Sequence, residues 1–350
     1  MRILLIKPKH IGDTLILTPT IAAIRQKYPE AEIWVVVRKG TEAILAGCTD
    51  ITRLLLVAPI EKRDRMFSDL YNYDLKTIFQ IAWHRFDYAF ELGDGTRGRN
   101  LLRLAKQSFC RRCYSVKPSD AWGELALKKM RATISTFDWQ ECHRVEKDFR
   151  TVSEFLPLPG PIPPLVFAPE RMRPWAPGQD LTDFCVVQLG SRQGFARWRR
   201  ESWRDVCRAL LKMFPNIVLT CGPVAHERED AAWLQSELGR CVRGTDGGAA
   251  WPEMAWLFAH AKMYVGPSTA AMHLAAACGC PVVALFGPTI EDHWHPWRVP
   301  YRIVTSPGYE PAADPETRHN AARKRTMEEI QPRQVLAACE ELLAEVRTRR

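Results

Sequence analysis

Two segments of this sequence combine residue types and spacings that can do chemistry. The first, Lys7-Pro-Lys-His-Ile-Gly-Asp13, follows the apolar run Arg2-Ile-Leu-Leu-Ile and leads into helical spacing. A carboxylate at Asp13, flanked by Lys7, Lys9 and His10, suits a general base beside a pocket that attracts phosphate. From spacing alone the same residue reads first as a helix N-cap that accepts the first free amides, an interaction of about 1 kcal/mol. Its oxygens cannot fully serve both ends. The second segment runs Tyr264-Val-Gly-Pro-Ser-Thr-Ala-Ala-Met-His-Leu-Ala-Ala-Ala-Cys-Gly279. A strand that ends in Gly-Pro-Ser-Thr and passes at once into a helix of small residues aims backbone amides and a positive helix end at a ligand, which suits an anion. Ser268 and Thr269 also read as simple caps, and His273 as a satisfied histidine on an apolar helix.

Both segments lie in βα loops, so the elements around them decide where they sit. Further apolar runs at 33–37, 54–57 and 88–92 are separated by stretches long enough for helices, as a parallel sheet requires. Between Pro157 and Pro177 lie eight of the 25 prolines, which favours an extended connection. A second alternation follows, with strands expected at 184–189, 217–221, 263–265 and 281–286 and a closing helix on Val335, Leu336, Cys339, Leu342, Leu343 and Val346. The expected fold class is therefore α/β, with two Rossmann-like βαβ domains. The expected division is 1–160, a proline-rich linker 161–178, a second domain 179–325 and a terminal helix 326–350. Ligands of such domains bind at the C-terminal ends of the strands.

Composition narrows the function classes. The chain has 350 residues, 46% hydrophobic and 25% charged, with a net charge of +9, which is globular and favours acidic partners. No run of about 18 apolar residues is present, and Ile3–Ile6 is too short for a secretory h-region. Eleven scattered cysteines suggest a reducing cytoplasm. No glycine-rich dinucleotide fingerprint follows the first strand, which argues against a nicotinamide oxidoreductase.

Ile-Gly-Asp13 after a strand, the segment Gly266-Pro-Ser-Thr-Ala-Ala-Met-His273-Leu-Ala-Ala-Ala, and Ala284-Leu-Phe-Gly-Pro-Thr289 occur together in this order. The set resembles glycosyltransferase family 9, whose best-known members are lipopolysaccharide core heptosyltransferases. The resemblance implies a GT-B fold, with two Rossmann-like domains facing across a cleft and a terminal helix that returns to the first. It implies inverting, metal-independent transfer of a heptose from ADP-heptose to the phosphorylated lipopolysaccharide inner core. The donor would be held mainly by the C-terminal domain and the acceptor mainly by the N-terminal one. Asp13 matches the family's catalytic aspartate, and Lys7 matches a lysine near the acceptor's phosphorylated sugars. Thr269 and His273 match positions around the diphosphate. Glu227, in Gly222-Pro-Val-Ala-His-Glu227, matches an acidic residue that binds the nucleoside; without the family it reads as a solvated glutamate opening a helix.

Two departures bear on the donor. Ser268-Thr269-Ala270 stands where heptosyltransferases commonly have Asp-Thr-Gly, so a carboxylate able to grip sugar hydroxyls is missing. Ala196 stands where a lysine is common, and Arg192 or Arg197 would supply that charge bidentately. Ser191 lies in a loop placed to touch phosphate, or is a turn residue. His10 joins the acceptor side, as do Arg97 and Arg99 of the glycine-rich stretch Glu91-Leu-Gly-Asp-Gly-Thr-Arg97-Gly-Arg99, which reads alternatively as an exposed basic loop. The Cys110-Arg-Arg-Cys113 spacing lacks a second pair, and Glu291-Asp-His-Trp-His295 reads as an ordinary loop, so no metal or cofactor is expected. Arg197-Trp-Arg-Arg200 mixes basic and aromatic residues, but nucleotide phosphate is a simpler partner than nucleic acid. The remaining expectations are a cytoplasmic location with peripheral contact to the anionic inner face of a membrane. The alternatives are transfer of another nucleotide-activated sugar and a binding-only protein that has lost turnover.

Overall fold

The computed structural model describes residues 1–45, 47–59, 70–190, 194, 197–306 and 315–348. The chain divides into two units, Met1–Val166 and Phe167–Arg350, with the cut inside the proline-rich stretch.

The first unit contains β1 (Arg2–Ile6), α1 (Ile11–Ile16), α2 (Thr18–Lys27), β2 (Glu32–Arg38), β3 (Arg53–Val57), α3 (Lys76–Trp83), β4 (Tyr88–Glu91), α4 (Thr96–Gln107), β5 (Arg112–Ser115), α5 (Ala121–Lys129), β6 (Thr133–Ile134) and α6 (Arg144–Ser153). Its six strands are parallel, in the order β3-β2-β1-β4-β5-β6. A central parallel strand is covered on both faces, so it must be apolar throughout rather than alternating. The sequence complies: Ile3, Leu4, Leu5 and Ile6 are all fully buried. Strand β1 pairs with β2 in the register Leu4↔Trp34 and with β4 in the register Leu4↔Ala89.

The second unit contains β7 (Phe184–Gln188), α7 (Arg200–Leu210), β8 (Asn216–Thr220), α8 (Ala225–Leu238), β9 (Val242–Gly244), α9 (Trp251–His260), β10 (Tyr264–Pro267), α10 (Ala270–Ala277), β11 (Val282–Phe286), α11 (Glu291–Trp294), β12 (Tyr301–Thr305), α12 (Pro315–Lys324) and α13 (Pro332–Thr348). The strand order is β12-β11-β10-β7-β8-β9, again parallel. Each sheet thus reverses direction beside its first strand, between β1 and β4 and between β7 and β10. That switch point is where doubly wound sheets take their ligands.

The closing helix, for which the resemblance implies a return to the first domain, buries Val335, Ala338, Cys339 and Leu342 in the core of the second unit. It packs there against α7, β11 and β12. Two tryptophans anchor the same core. Trp198 and Trp203 meet edge to face with ring centroids 4.8 Å apart. Their indole N–H groups donate to the carbonyls of Ile330 at 3.1 Å and Leu189 at 2.9 Å, so neither buried donor is left unpaired.

Truncating Trp198 removes the largest wedge between α7 and the closing segment. Trp198→Ala is expected to lower stability by about 3–5 kcal/mol, read as a lower urea midpoint; an unchanged midpoint would refute this account of the core.

Candidate active site

In the first unit the site begins where β1 ends. His10, not Asp13, is the N-cap of α1, and no side chain caps that helix. The capping reading of Asp13 is therefore set aside. Asp13 is half-buried in the first turn and makes no hydrogen bond or ion pair among the described residues. The charges of Arg144 and Asp148 lie within its electrostatic reach. His10 itself is exposed at the start of α1.

Helix α6 packs on α1 and α2. Its residues Arg144, Lys147 and Asp148, at i, i+3 and i+4, lie on one face. Lys7, expected to meet an acceptor phosphate, instead forms a buried ion pair with Asp148; their side chains are 2% and 0% exposed. The carboxylate in contact neutralises this buried ammonium inside the protein, so Lys7 fixes the end of β1 to α6. Burial pushes Asp148 above the ordinary carboxylate range, against the pull of Lys7, and lowers Lys147 to about 8. Lys147 lies 4.8 Å from the Trp139 ring centroid and Arg144 lies 4.5 Å from it, so one indole ring meets both cations. Arg144 also donates to the Trp139 carbonyl at 3.1 Å.

Across the switch point stands Glu91, the last residue of β4. Burial raises its carboxyl as well, while it accepts from Gly93 N at 2.9 Å and Ser115 Oγ at 3.0 Å. Helix α4 rests directly on this carboxylate: a Cβ at Gly98 would lie 2.4 Å from Glu91 Oε1. The two arginines expected on the acceptor side are likewise engaged by the protein. Arg97 bonds Asp74 and the Ala58 carbonyl. Arg99 donates to Asp94 at 3.2 Å and to Thr96 at 3.4 Å. Both brace the first turn of α4 against its neighbours.

In the second unit the segment after β10 turns closely into α10. A Cβ at Gly266 would lie 2.7 Å from both Gln188 Cβ and the Tyr264 hydroxyl, so only glycine lets β10 pass there. Ser268, Thr269 and Ala270 are half-buried at the helix start. Thr269 holds the N-cap position without a side-chain cap bond, which removes its capping reading. Its hydroxyl oxygen is buried without a hydrogen-bond partner among the described residues, and burial pushes the Tyr264 phenol well up. His273, one turn on, is buried, with its ring centroid 6.0 Å from that of Trp294.

Glu227 is 4% exposed rather than solvated, and its Oε2 accepts from Gly222 N at 2.7 Å. That bond fixes the β8–α8 loop and leaves Oε1 without a hydrogen bond among the described residues. Arg197 pairs with Asp230 at 3.0 Å and is half exposed. Ser191, Arg192 and Ala196 lie outside the described residues. Sequence reasoning missed Arg325, which grips Glu291 through two bonds of 2.8 and 2.7 Å and donates to the Thr289 carbonyl at 3.1 Å. It missed the α6 triad too, although charges at i, i+3 and i+4 beside Val145, Phe149 and Val152 on an amphipathic helix are a readable sign of a charged seam.

A profile of glycosyltransferase family 9 (heptosyltransferase) matches residues 85–324, more than half of the chain. The chain belongs to glycosyltransferase family 9. Lipopolysaccharide heptosyltransferase 3 of Escherichia coli (strain K12) is 28% identical over 349 residues, 96% of each chain. Lipopolysaccharide heptosyltransferase 1 of Pseudomonas aeruginosa is 25% identical over 301 residues, covering 83% of this chain and 79% of its own. Among solved structures, E. coli heptosyltransferase WaaC with ADP matches at a TM-score of 0.77 and 19% identity, over 98% of this chain and 100% of its own. The glycosyl transferase family 9 protein from Veillonella parvula DSM 2008 matches at 0.77 and 18%, over 98% and 97%. The pair of parallel six-stranded sheets is thus the GT-B fold, and this family 9 member is a glycosyltransferase.

The α6 seam carries two expectations. Asp148→Asn strands the Lys7 ammonium in the interior and is expected to cost about 3–5 kcal/mol, seen as a lowered urea midpoint at neutral pH. Lys147 titrates near 8 when folded and near 10.5 when unfolded, so between those values the unfolded chain holds more protons and stability rises with pH. Lys147→Met should flatten that rise in urea titrations at stepped pH; an identical profile would show that the group is not desolvated.

Proposed function

We propose that this glycosyltransferase moves a heptose from ADP-heptose to a phosphorylated lipopolysaccharide inner core, with inversion and without a metal ion. The names of its relatives support the sugar and the acceptor, and the structure matched with ADP supports the nucleotide class. One observation carries the mechanism: Asp13 keeps an unengaged carboxylate in the first turn of α1 while Lys7 and Asp148 pair with each other.

Asp13 takes the proton of an acceptor hydroxyl as that oxygen bonds to the anomeric carbon. The bond from that carbon to the diphosphate oxygen breaks, and ADP leaves from the opposite face, so the configuration inverts. Negative charge grows on the departing diphosphate. The first amides of α10, with Ser268 and Thr269, meet it in this reading, and their dipoles are fixed before the reaction begins. His273 lines the same donor side, and the open Oε1 of Glu227 accepts from ribose hydroxyls. Arg197 and Arg192 supply positive charge near the nucleotide, with Ser191 in the same loop. His10 belongs to the acceptor side, where Arg144 and Lys147 contribute the positive field first attributed to Lys7. The enzyme then works in the cytoplasm against the anionic face of a membrane; among the described residues no helix is long and apolar enough to cross one.

A second reading rests on Ser268, which gives the donor pocket a hydroxyl where family members commonly carry a carboxylate. It assigns the same mechanism to another nucleotide sugar.

The test is a panel of ADP-, UDP- and GDP-sugars with a truncated phosphorylated core acceptor. ADP-heptose is expected to turn over, and Asp13→Asn to lower kcat by about 10²–10⁴. Equal turnover in the variant would remove the general base, and turnover with another donor alone would select the second reading. Binding of ADP with no turnover of any donor would leave a binding-only protein. Glu227→Ala should weaken ADP binding about tenfold or more in calorimetry, the scale of a hydrogen bond to a charged group.

A further inference from the structure

Helix α3 is turned the wrong way round for a soluble protein. Leu75, Ile78, Phe79, Ala82 and Trp83 follow the i, i+3, i+4, i+7, i+8 spacing that normally marks a buried stripe. Here that stripe points outward. Phe79 and Trp83 are 64% and 76% exposed, and Leu75 and Ile78 are 47% and 41% exposed, while Thr77 and Ile81 face the core. The two aromatic rings stack on each other in the open, with centroids 5.6 Å apart.

The stripe is part of a larger face. Helix α4 packs beside α3, and α5 packs beside α4. Helix α5 presents Trp122, 81% exposed, and Leu125, 44% exposed. At the end of α4, Phe109 is 73% exposed, with the Arg85 guanidinium 5.0 Å from its ring centroid. Scattered single apolar residues on a surface need no explanation, but several large ones on adjacent helices mark an interaction site.

The charges on this face have one predominant sign. Lys76, Arg85, Arg103 and Lys129 are exposed around the aromatic residues, and the exposed acid of α5, Glu124, is paired with Lys128 at 2.6 Å. Between α4 and α5 lies a depression of about 240 Å³ lined by Arg99, Asn100, Arg103, Ala126, Lys129 and Met130. A second copy of the chain is a poor occupant, because a two-fold contact would set these cations against themselves. A surface with anionic headgroups outermost and an apolar layer directly beneath them suits both features at once.

We propose that the α3–α4–α5 face is a membrane-docking surface for an anionic lipid leaflet. Phe79, Trp83, Phe109 and Trp122 enter the interfacial layer, where aromatic rings are favoured. Lys76, Arg85, Arg103 and Lys129 meet lipid phosphates, and the depression between α4 and α5 takes a headgroup. This deepens the proposed function and rests on it for its purpose, since a lipid-borne acceptor requires the first unit to be held at a membrane.

The test uses the full-length protein with vesicles of phosphatidylethanolamine alone or mixed with phosphatidylglycerol, without donor or acceptor. The protein should co-sediment with the anionic vesicles, and added salt should weaken binding because exposed charges are screened. The double variant Phe79→Ser with Trp83→Ser should reduce vesicle partitioning about tenfold or more, the scale expected when apolar contact area is removed. Arg103→Glu with Lys129→Glu should do the same by reversing charge. Turnover of a soluble truncated acceptor should be unchanged in both variants, which also shows that they fold. No binding to anionic vesicles, or equal binding by wild type and variants, would overturn the proposal. So would a dimer in sedimentation velocity that dissociates in the aromatic variant. Vesicle binding by a protein with no turnover would support this docking face while removing the catalytic reading, so the two fail separately.

Discussion

The buried pair of Lys7 and Asp148 is the constraint on which the first half of the molecule turns. Taking both charges out of water costs several kcal/mol per ion, and only close contact offsets it. The pair therefore ties the end of β1 to α6 without slack, because any separation leaves a charge in an apolar interior. It also settles which carboxylate is available. Asp148 is neutralised below the surface and Asp13 is not, although both lie in one electrostatic neighbourhood. Glu91 and Lys147 extend this seam across the switch point, and each is displaced from its ordinary titration range mainly by burial.

The second unit uses the same winding for a different purpose. Its sheet has the strand order of the first, shifted along the chain. In the first unit Asp13 follows β1 and Glu91 ends β4, while the basic seam comes from α6, after β6. In the second the turn from β10 into α10 carries small residues, hydroxyls and helix amides. On the proposed reading, one architecture provides a proton acceptor in one half and a cradle for negative charge in the other.

How much of this was legible depended on burial. Central strands such as β1, β7 and β11 announce themselves as unbroken apolar runs, because both faces are covered. The short β5, β6 and β9, and the longer but polar β12, do not, since they are brief or carry polar and charged residues, as Arg112 and Arg302 show. The loop bearing Asp13 and the loop bearing Thr269 were visible from spacing. The direction of Lys7, Arg97 and Arg99 was not, because a loop's position fixes where a backbone lies and not which carboxylate a long side chain will find. Glu227 shows the same limit: its place at the start of a helix was readable, while its bond to Gly222 needed the loop's path.

The closing helix α13 supplies Val335, Ala338, Cys339 and Leu342 to a core begun by β7, far earlier in the chain. During synthesis the first unit has all its strands and helices once residue 166 has emerged. The second keeps an uncovered apolar flank until its final helix leaves the ribosome, so its nascent form depends on shelter from other exposed chains for longer than its partner half does.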